Sequence, residues 1–348
     1  MMPQKVTPLV ICLILLASCQ PPQKEVRVYP ISLTPLCSED ILMGTPNNLA
    51  IFDSVLAVKD AKMDSLVHLV DLRSNRYIGK QCPRGQGPNE FNLIMSMEAE
   101  KDGKSLLLYD PNPCALYRLA RGSEGSIGLQ RVYKNEKMQE YMHWNIYPIS
   151  GNRHLATGLY GEHQFCLLDS LGNIVNKFGE YPYRDEEERG LSGIIKSQVY
   201  QGDVTIAPSG KRFLSCILCG DLVSIYEYNE ATGYFQPKKN MYTTFPEYKY
   251  QGDNYFGVSR ECPLTYLDAT STDDYIYLLY SGKTTQDVGL TAFYGNRIFV
   301  LNWEGEKVAE LQCEQDLAAL CLSPDRKTMY VIAYNPEPEV MYFRVPFL

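Results

Sequence analysis

Histidine and tryptophan are scarce in this chain, at 4 and 2 of 348 residues. The histidines are His68, His143, His154 and His163, and none forms an H-x-x-x-H or H-E-x-x-H pair. That spacing sets two imidazoles on one helical face for zinc, so no metal site is predicted. A G-x-S-x-G elbow is also missing, which removes the usual signature of a serine hydrolase. Basic residues number 33 against 41 acidic ones, a net charge of −8, and no basic cluster is interleaved with aromatics. Nucleic acid is therefore not an expected partner. No sequence pattern for a cofactor is present, and none is predicted.

Cysteine is not scarce, at 11 residues, but its placement argues against a disulfide framework. Cys166, Cys216, Cys219, Cys313 and Cys321 sit within apolar runs, where a free thiol behaves as a small hydrophobe. Cys216-Ile217-Leu218-Cys219 has the spacing of a redox or zinc motif. Read as a strand, its two cysteines point to opposite faces, and no second pair follows at zinc spacing.

Tyrosine is abundant, at 26 residues, and suits strands and half-wet surfaces. The body of the chain repeats one local phrase six times: an apolar stretch, a polar turn, a second apolar stretch, then a hairpin. The second stretches are SVLAVKD, SLLLYD, HLATGLY, FLSCILC, YIYLLY and TMYVIAY, starting 51, 49, 59, 62 and 53 residues apart. Turns such as Asp102-Gly103-Lys104 and Ser209-Gly210-Lys211 precede them, and hairpins with Gly- or Asn-containing turns follow. Four short antiparallel strands at a period near 50 match one propeller blade. The predicted fold is all-β, a six-bladed β-propeller spanning residues 26–348. The sixth copy ends after VMYFRVPFL without a returning strand. VRVYPISL, residues 26–33, is the expected donor of that strand, closing the ring and covering an edge that would otherwise invite pairing. Helix is expected only over residues 135–142. Residues 183–192, with a charged run from Asp185 to Arg189, read as a solvated loop between blades three and four.

Between blades one and two lies RGQGPNEF, residues 84–91. A phosphate loop needs glycines followed by Lys-Ser/Thr and a helix, and neither follows here. The order of six blades and a G-x-G-P-x-E-F loop after the first resembles the TolB-like six-bladed propeller lipoproteins common in Bacteroidetes. The matching residues are Gly85, Gly87, Pro88, Glu90 and Phe91. The family's usual form has glycine after the proline; here Asn89 stands there, which also tolerates positive φ. The resemblance implies an envelope-anchored propeller and no established reaction, so function has to come from a site. In a structural role, Gly85 and Gly87 let the chain cross between blades, Phe91 packs between them and Glu90 binds backbone amides or Arg84. In a functional role, Arg84 and Glu90 reach the channel rim, where Arg84 clamps a carboxylate or phosphate.

Other ligand-contacting candidates are His143, Trp144 and Asn145, entering the inner strand of blade three, where propellers line their channel. The plainer reading packs Trp144 between blades and leaves His143 at the rim. Asp110, Asp169, Asp253 and Asp268 are the acids available for catalysis, but each occupies a plausible turn position.

The chain starts with a basic Lys5, a short apolar run over residues 10–16, then Ala17, Ser18 and Cys19. The run is too short to span a membrane and has the layout of a secretory signal. Leu16-Ala17-Ser18-Cys19 resembles the bacterial lipobox, which implies a signal peptide over residues 1–18, lipid on Cys19 and a tether over residues 19–25. The expected product is an outer-membrane lipoprotein, monomeric, facing either the periplasm or the cell surface. Two functions remain: a non-catalytic module binding a protein, peptide or glycan, or a metal-dependent hydrolase or lyase acting on carbohydrate or ester in the channel.

Overall fold

The computed structural model describes residues 26–346, apart from 39–40, 88, 136–140 and 335. The expected signal peptide, Cys19, the tether up to residue 25, Pro88 and most of the expected 135–142 helix lie outside the described residues.

Six antiparallel sheets follow one another along the chain. Blade one comprises Pro46–Phe52, Val55–Asp60, Ser65–Asp71 and Arg76–Pro83. Blade two comprises Ser96–Ala99, Ser105–Asp110, Ala115–Arg121 and Ile127–Lys134; blade three, His143–Ile149, Arg153–Tyr160, His163–Leu168 and Ile174–Glu180. Blade four is Gly202–Ile206, Arg212–Ile217, Asp221–Asn229 and Tyr234–Thr244. Blade five is Pro263–Ser271, Tyr275–Thr284, Gly295–Asn302 and the first half of Lys307–Leu322, whose second half opens blade six. Thr328–Tyr334 and Pro338–Arg344 continue blade six. All six apolar stretches read from the sequence as second strands occupy that place.

The amphipathic pattern follows from radial packing. The second strand of each blade is covered on both faces by its neighbours, so SLLLYD of blade two is buried throughout. Outer strands meet solvent on one side and alternate, as Ile127–Lys134 does. The buried side chains divide into clusters seated between successive blades. Phe52, Val67 and Leu69 of blade one meet Met97, Leu106 and Leu119 of blade two. Leu107 and Leu116 meet Ile146 and Cys166 between blades two and three, and Phe165 packs edge-on against Phe213 and Tyr226 between three and four. Val223 and Ile225 meet Ile276 and Leu278, Leu311 meets Val331 and Phe343, and Ile332 and Val340 meet Ile51 and Val58, completing the circuit. Six such seams close the ring, and each buried aliphatic side chain contributes about 1.5–3 kcal/mol by leaving water.

The N-terminal segment closes the ring differently from the 26–33 expectation. Arg27–Pro30 runs parallel to the outer strand of blade five, with Arg27 opposite Ala309 and Pro30 opposite Gln312. Only Thr34–Pro35 supplies the fourth strand of blade six, antiparallel to Tyr342 and Met341. Proline explains the break: Pro30 brings no N–H to a continuing ladder. Tyr29, Ile31 and Leu33 then fill the seam between blades five and six. One short segment thus ties two blades.

Strand direction sorts the connections onto two faces. One face carries the short turns within hairpins. The other carries the blade-to-blade linkers and the excursion of blade five, Thr285–Val288 and Gly289–Phe293. On that loop face the 183–192 segment is not simply a solvated loop. Asp185 caps a short helix, Glu186–Arg189, and a second helix follows over Gly193–Val199. Glu188 is buried and accepts hydrogen bonds from Tyr248 Oη at 2.6 Å and from the Arg184 amide. Charge ran along this segment because one carboxylate caps the helix and another anchors the Tyr248–Gln251 hairpin.

The central channel as candidate functional site

The inner strands enclose two cavities of about 430 and 260 Å³, both lined by Asn48, Glu98, Asp203 and Asp268. The larger opens toward the turn face, past Lys101, Pro208, Ser323 and Arg326. The smaller opens toward the loop face, past Asn47, Met95 and Gln201. The shared residues form an acidic waist with Lys59 beside it.

The waist acids also stitch blades together. Asn145 Nδ2 donates to Tyr147 Oη at 3.0 Å, and Tyr147 Oη donates to Asp203 Oδ1 at 3.2 Å. Asp203 Oδ2 accepts the Ala269 amide at 2.9 Å, and Asp268 Oδ2 accepts the Leu320 amide at 2.6 Å. The chain of bonds runs from blade three through four and five to six. Lys59 Nζ donates to the Met95 carbonyl at 3.1 Å, linking blade one to the approach of blade two. On the turn face, Lys101 Nζ reaches the Pro208 carbonyl at 3.2 Å, so blade two's turn is tied to blade four's across the larger mouth.

Burial sets the charge state of the waist. Desolvation raises the carboxyl pKa of both Asp203 and Asp268, and the two side chains hydrogen-bond to each other. Two carboxyls in contact cannot both ionise cheaply, so the pair shares a proton and titrates as a unit. Glu98 is pushed up to about 8 by desolvation and the Asp203 charge, with Lys59 opposing. Desolvation lowers the Lys59 pKa, opposed by the three acids. The waist is thus a set of proton donors and acceptors lying between two open mouths. Among the described residues no group of three or more His, Cys, Asp and Glu side chains is arranged to hold a metal ion.

The sequence profile of the TolB-like 6-blade propeller-like family matches residues 29–325. This chain belongs to that family. Solved structures agree on the fold. A Bacteroides fragilis protein described as exported aligns with TM-score 0.55 at 11% identity, covering 90% of this chain and 94% of its own. The β-propeller domain of Myceliophteria thermophila Cps50 (Swd1) aligns with TM-score 0.51 at 11% identity, covering 90% of this chain and 100% of that one. At such identity the likeness is one of fold alone. No curated protein matches the sequence.

In this TolB-like propeller the glycine loop is a self-contained brace. Arg84 Nη2 donates to the Ala61 carbonyl at 2.5 Å, Nε to Met63 at 3.3 Å and Nη1 to Asn92 at 3.4 Å. Glu90 Oε2 accepts the Gly87 amide at 2.7 Å. A Cβ at Gly85 would meet the Glu90 carboxylate, the exposed end of a flexible side chain, so a larger residue there would displace Glu90 from the brace. Asn89 does take φ 63°, as its place in the motif demands. Phe91 is fully buried in the seam between blades one and two, its ring edge-on to Tyr117 at 4.8 Å. Arg84 and Glu90 are not among the residues lining either channel cavity.

The three blade-three candidates part company. A β-bulge falls between His143 and Asn145, which pair with Gly158 and Thr157. Bulges break the alternation of side chains. His143 is buried, with Nδ1 at 2.5 Å from Tyr160 Oη and its ring edge-on to Tyr109. Tyr160 Oη itself donates to the Thr157 carbonyl, so His143 Nδ1 carries the proton. Desolvation pushes the His143 pKa down to about 4. Trp144 lines a small pocket with Tyr181 and Tyr200, and Asn145 alone reaches the channel.

Asp110 and Asp169 serve turns, accepting amides of Asn112 and of Leu171 and Asn173. Asp268 does not: it sits within the inner strand of blade five and faces the waist. Glu98, Asp203, Lys59 and Tyr147 were not singled out from the sequence. A usable signal existed, since each of the three acids interrupts an inner strand with a charge: MEAE, GDVT and YLDA.

Proposed function

We propose that this chain is an exported, lipid-anchored propeller that binds a polar group of a protein, peptide or glycan in its central channel. The observation that carries the reading is the waist of Asn48, Glu98, Asp203 and Asp268 between two open cavities. Carboxyl, amide and phenol groups there offer donors and acceptors to hydroxyls or amides, the recognition chemistry of sugars and peptide ends. Waist variants that keep the fold should lose binding on glycan and peptide arrays. The informative pair is Glu98→Gln, which keeps shape and removes the acid, and Glu230→Gln on the surface as control. Equal array profiles for both would overturn the channel as the site.

The address rests on Cys19 and the preceding apolar run, supported by the fold shared with a Bacteroides fragilis protein described as exported. Among the described residues no helix is long and apolar enough to cross a membrane. Lipid on Cys19 would anchor the chain in the outer membrane, facing the periplasm or the cell surface, as in Bacteroidetes lipoproteins. Labelled fatty acid should enter the wild-type chain and not Cys19→Ser; label in neither overturns the anchor.

A second reading, hydrolysis or elimination on a carbohydrate or ester, is favoured by one observation. Asp203 and Asp268 hold a proton between them, as acid–base catalysis requires. Turnover abolished by Asp268→Asn would support it.

A further inference from the structure

Cys219 and Cys262 meet where blade four hands over to blade five. Cys219 lies in the loop between Arg212–Ile217 and Asp221–Asn229, and it bridges antiparallel to Leu264. The Gly220 amide donates to the Pro263 carbonyl, and the Thr265 amide to the Leu218 carbonyl at 2.8 Å. This short ladder places Cys262, two residues before Leu264, diagonally across from Cys219 on the same side. Their thiols hydrogen-bond to each other within a small apolar cluster with Leu264 and Ala292. Both residues are nearly closed to solvent, at 9% and 7% exposure. Cys216, three residues back, packs instead in the seam between blades four and five.

We infer that Cys219 and Cys262 are a dithiol that closes to a disulfide in an oxidising compartment, stapling blade four to the start of blade five. Both thiols are free in this structure. Closure requires a disulfide donor, such as oxidised glutathione or an oxidoreductase's disulfide. The Cys262 thiolate attacks one donor sulfur, breaks the donor S–S bond and forms a mixed disulfide, releasing the donor's other half as a thiolate. The Cys219 thiolate then attacks the Cys262 sulfur, forms the internal bond and releases the second half. Two cysteines are oxidised, one donor disulfide is reduced to two thiols, and the two protons leave with them.

Cys262 is suited to the first attack: the Cys219 hydrogen bond lowers its thiol pKa, while the same bond and burial raise that of Cys219, which gives up its proton only as it makes the second attack. Desolvation instead pushes thiols such as Cys82 and Cys166 up to about 12. The closed loop would hold the whole Tyr248–Gln251 and Asn254–Val258 hairpin, which packs over the loop face. A loop of that length is one whose closure restricts the unfolded chain strongly.

The test uses the purified, fully reduced chain incubated with excess oxidised glutathione, then denatured in an alkylating reagent, digested and analysed by mass. The expected result is two cysteines protected and one cross-linked peptide joining Cys219 to Cys262. The Tm of this form should rise by roughly several degrees over the reduced chain, and the rise should vanish in Cys262→Ser. Alkylation of every cysteine, glutathione trapped on a single thiol, or a bridge between other cysteines would overturn the inference. A bridge that leaves Tm unchanged would overturn its stapling role.

Discussion

Tyr147 Oη donates to Asp203 Oδ1 at 3.2 Å, joining the inner strands of blades three and four inside the channel. The same phenol accepts from Asn145, and the same carboxylate accepts from the backbone of blade five. Tyr147→Phe leaves the half-buried Asp203 carboxylate without that donor. It should lower stability by about 1–2 kcal/mol, read as a shifted denaturation midpoint at unchanged slope. An unchanged midpoint would mean that channel water replaces the phenol at no cost.

Half-buried Glu98 and buried His143 predict a particular pH dependence. Glu98 titrates near 8 in the fold, while an unfolded glutamate titrates near about 4.3. Between those values the folded chain keeps a proton that the unfolded chain loses. This contribution is complete below the unfolded pKa and is lost as pH rises through 8. His143 works in the opposite sense. It titrates near 4 in the fold and near about 6.5 unfolded, so its contribution is lost as pH falls through that window. The Glu98 and His143 slopes offset one another below pH 6.5; above it the Glu98 slope remains, in the same sense as that of the Asp203–Asp268 pair. Stability should fall by about 1–2 kcal/mol from pH 6.5 to 8. Glu98→Gln should flatten that limb; a wild-type limb that is already flat refutes the assignment.

A Cβ at Gly85 would push aside the exposed Glu90 carboxylate that accepts the Gly87 amide. Gly85→Ala should therefore cost about 0.5–1.5 kcal/mol, the worth of that one hydrogen bond. Gln86→Ala, one residue on and exposed, should change stability by less than about 0.5 kcal/mol. Thermal unfolding of the two variants decides whether the loop is built around that contact.

The N-terminal segment covers two outer edges, of blades five and six. A chain starting at Leu36 leaves both strands open to pairing with another copy. Size-exclusion chromatography with light scattering should show concentration-dependent association of this truncation and a monomer for the longer chain.

The fold was legible because radial packing writes itself plainly into sequence. Second strands covered on both faces become continuous apolar runs such as SLLLYD, and hairpin turns take Gly, Asn or Asp. The ring closure was legible in kind but not in register: residues 26–33 read as one strand of blade six, yet Arg27–Pro30 pairs with blade five and only Thr34–Pro35 pairs with blade six. The site was the harder part. The aromatic stretch from Tyr141 to Asn145 pointed to His143 and Trp144, but a bulge turned His143 into the core. The acids of the channel come from separate inner strands far apart in sequence, and only closure of the ring brings Glu98, Asp203 and Asp268 together.

The most direct measurement is a high-resolution crystal structure of the mature chain with the strongest ligand from the arrays. The account predicts ligand density inside the channel, with polar groups hydrogen-bonded to Glu98 and to the Asp203–Asp268 pair. Density seated on an outer strand or on the Tyr248–Gln251 hairpin, with the channel holding only water, would contradict it.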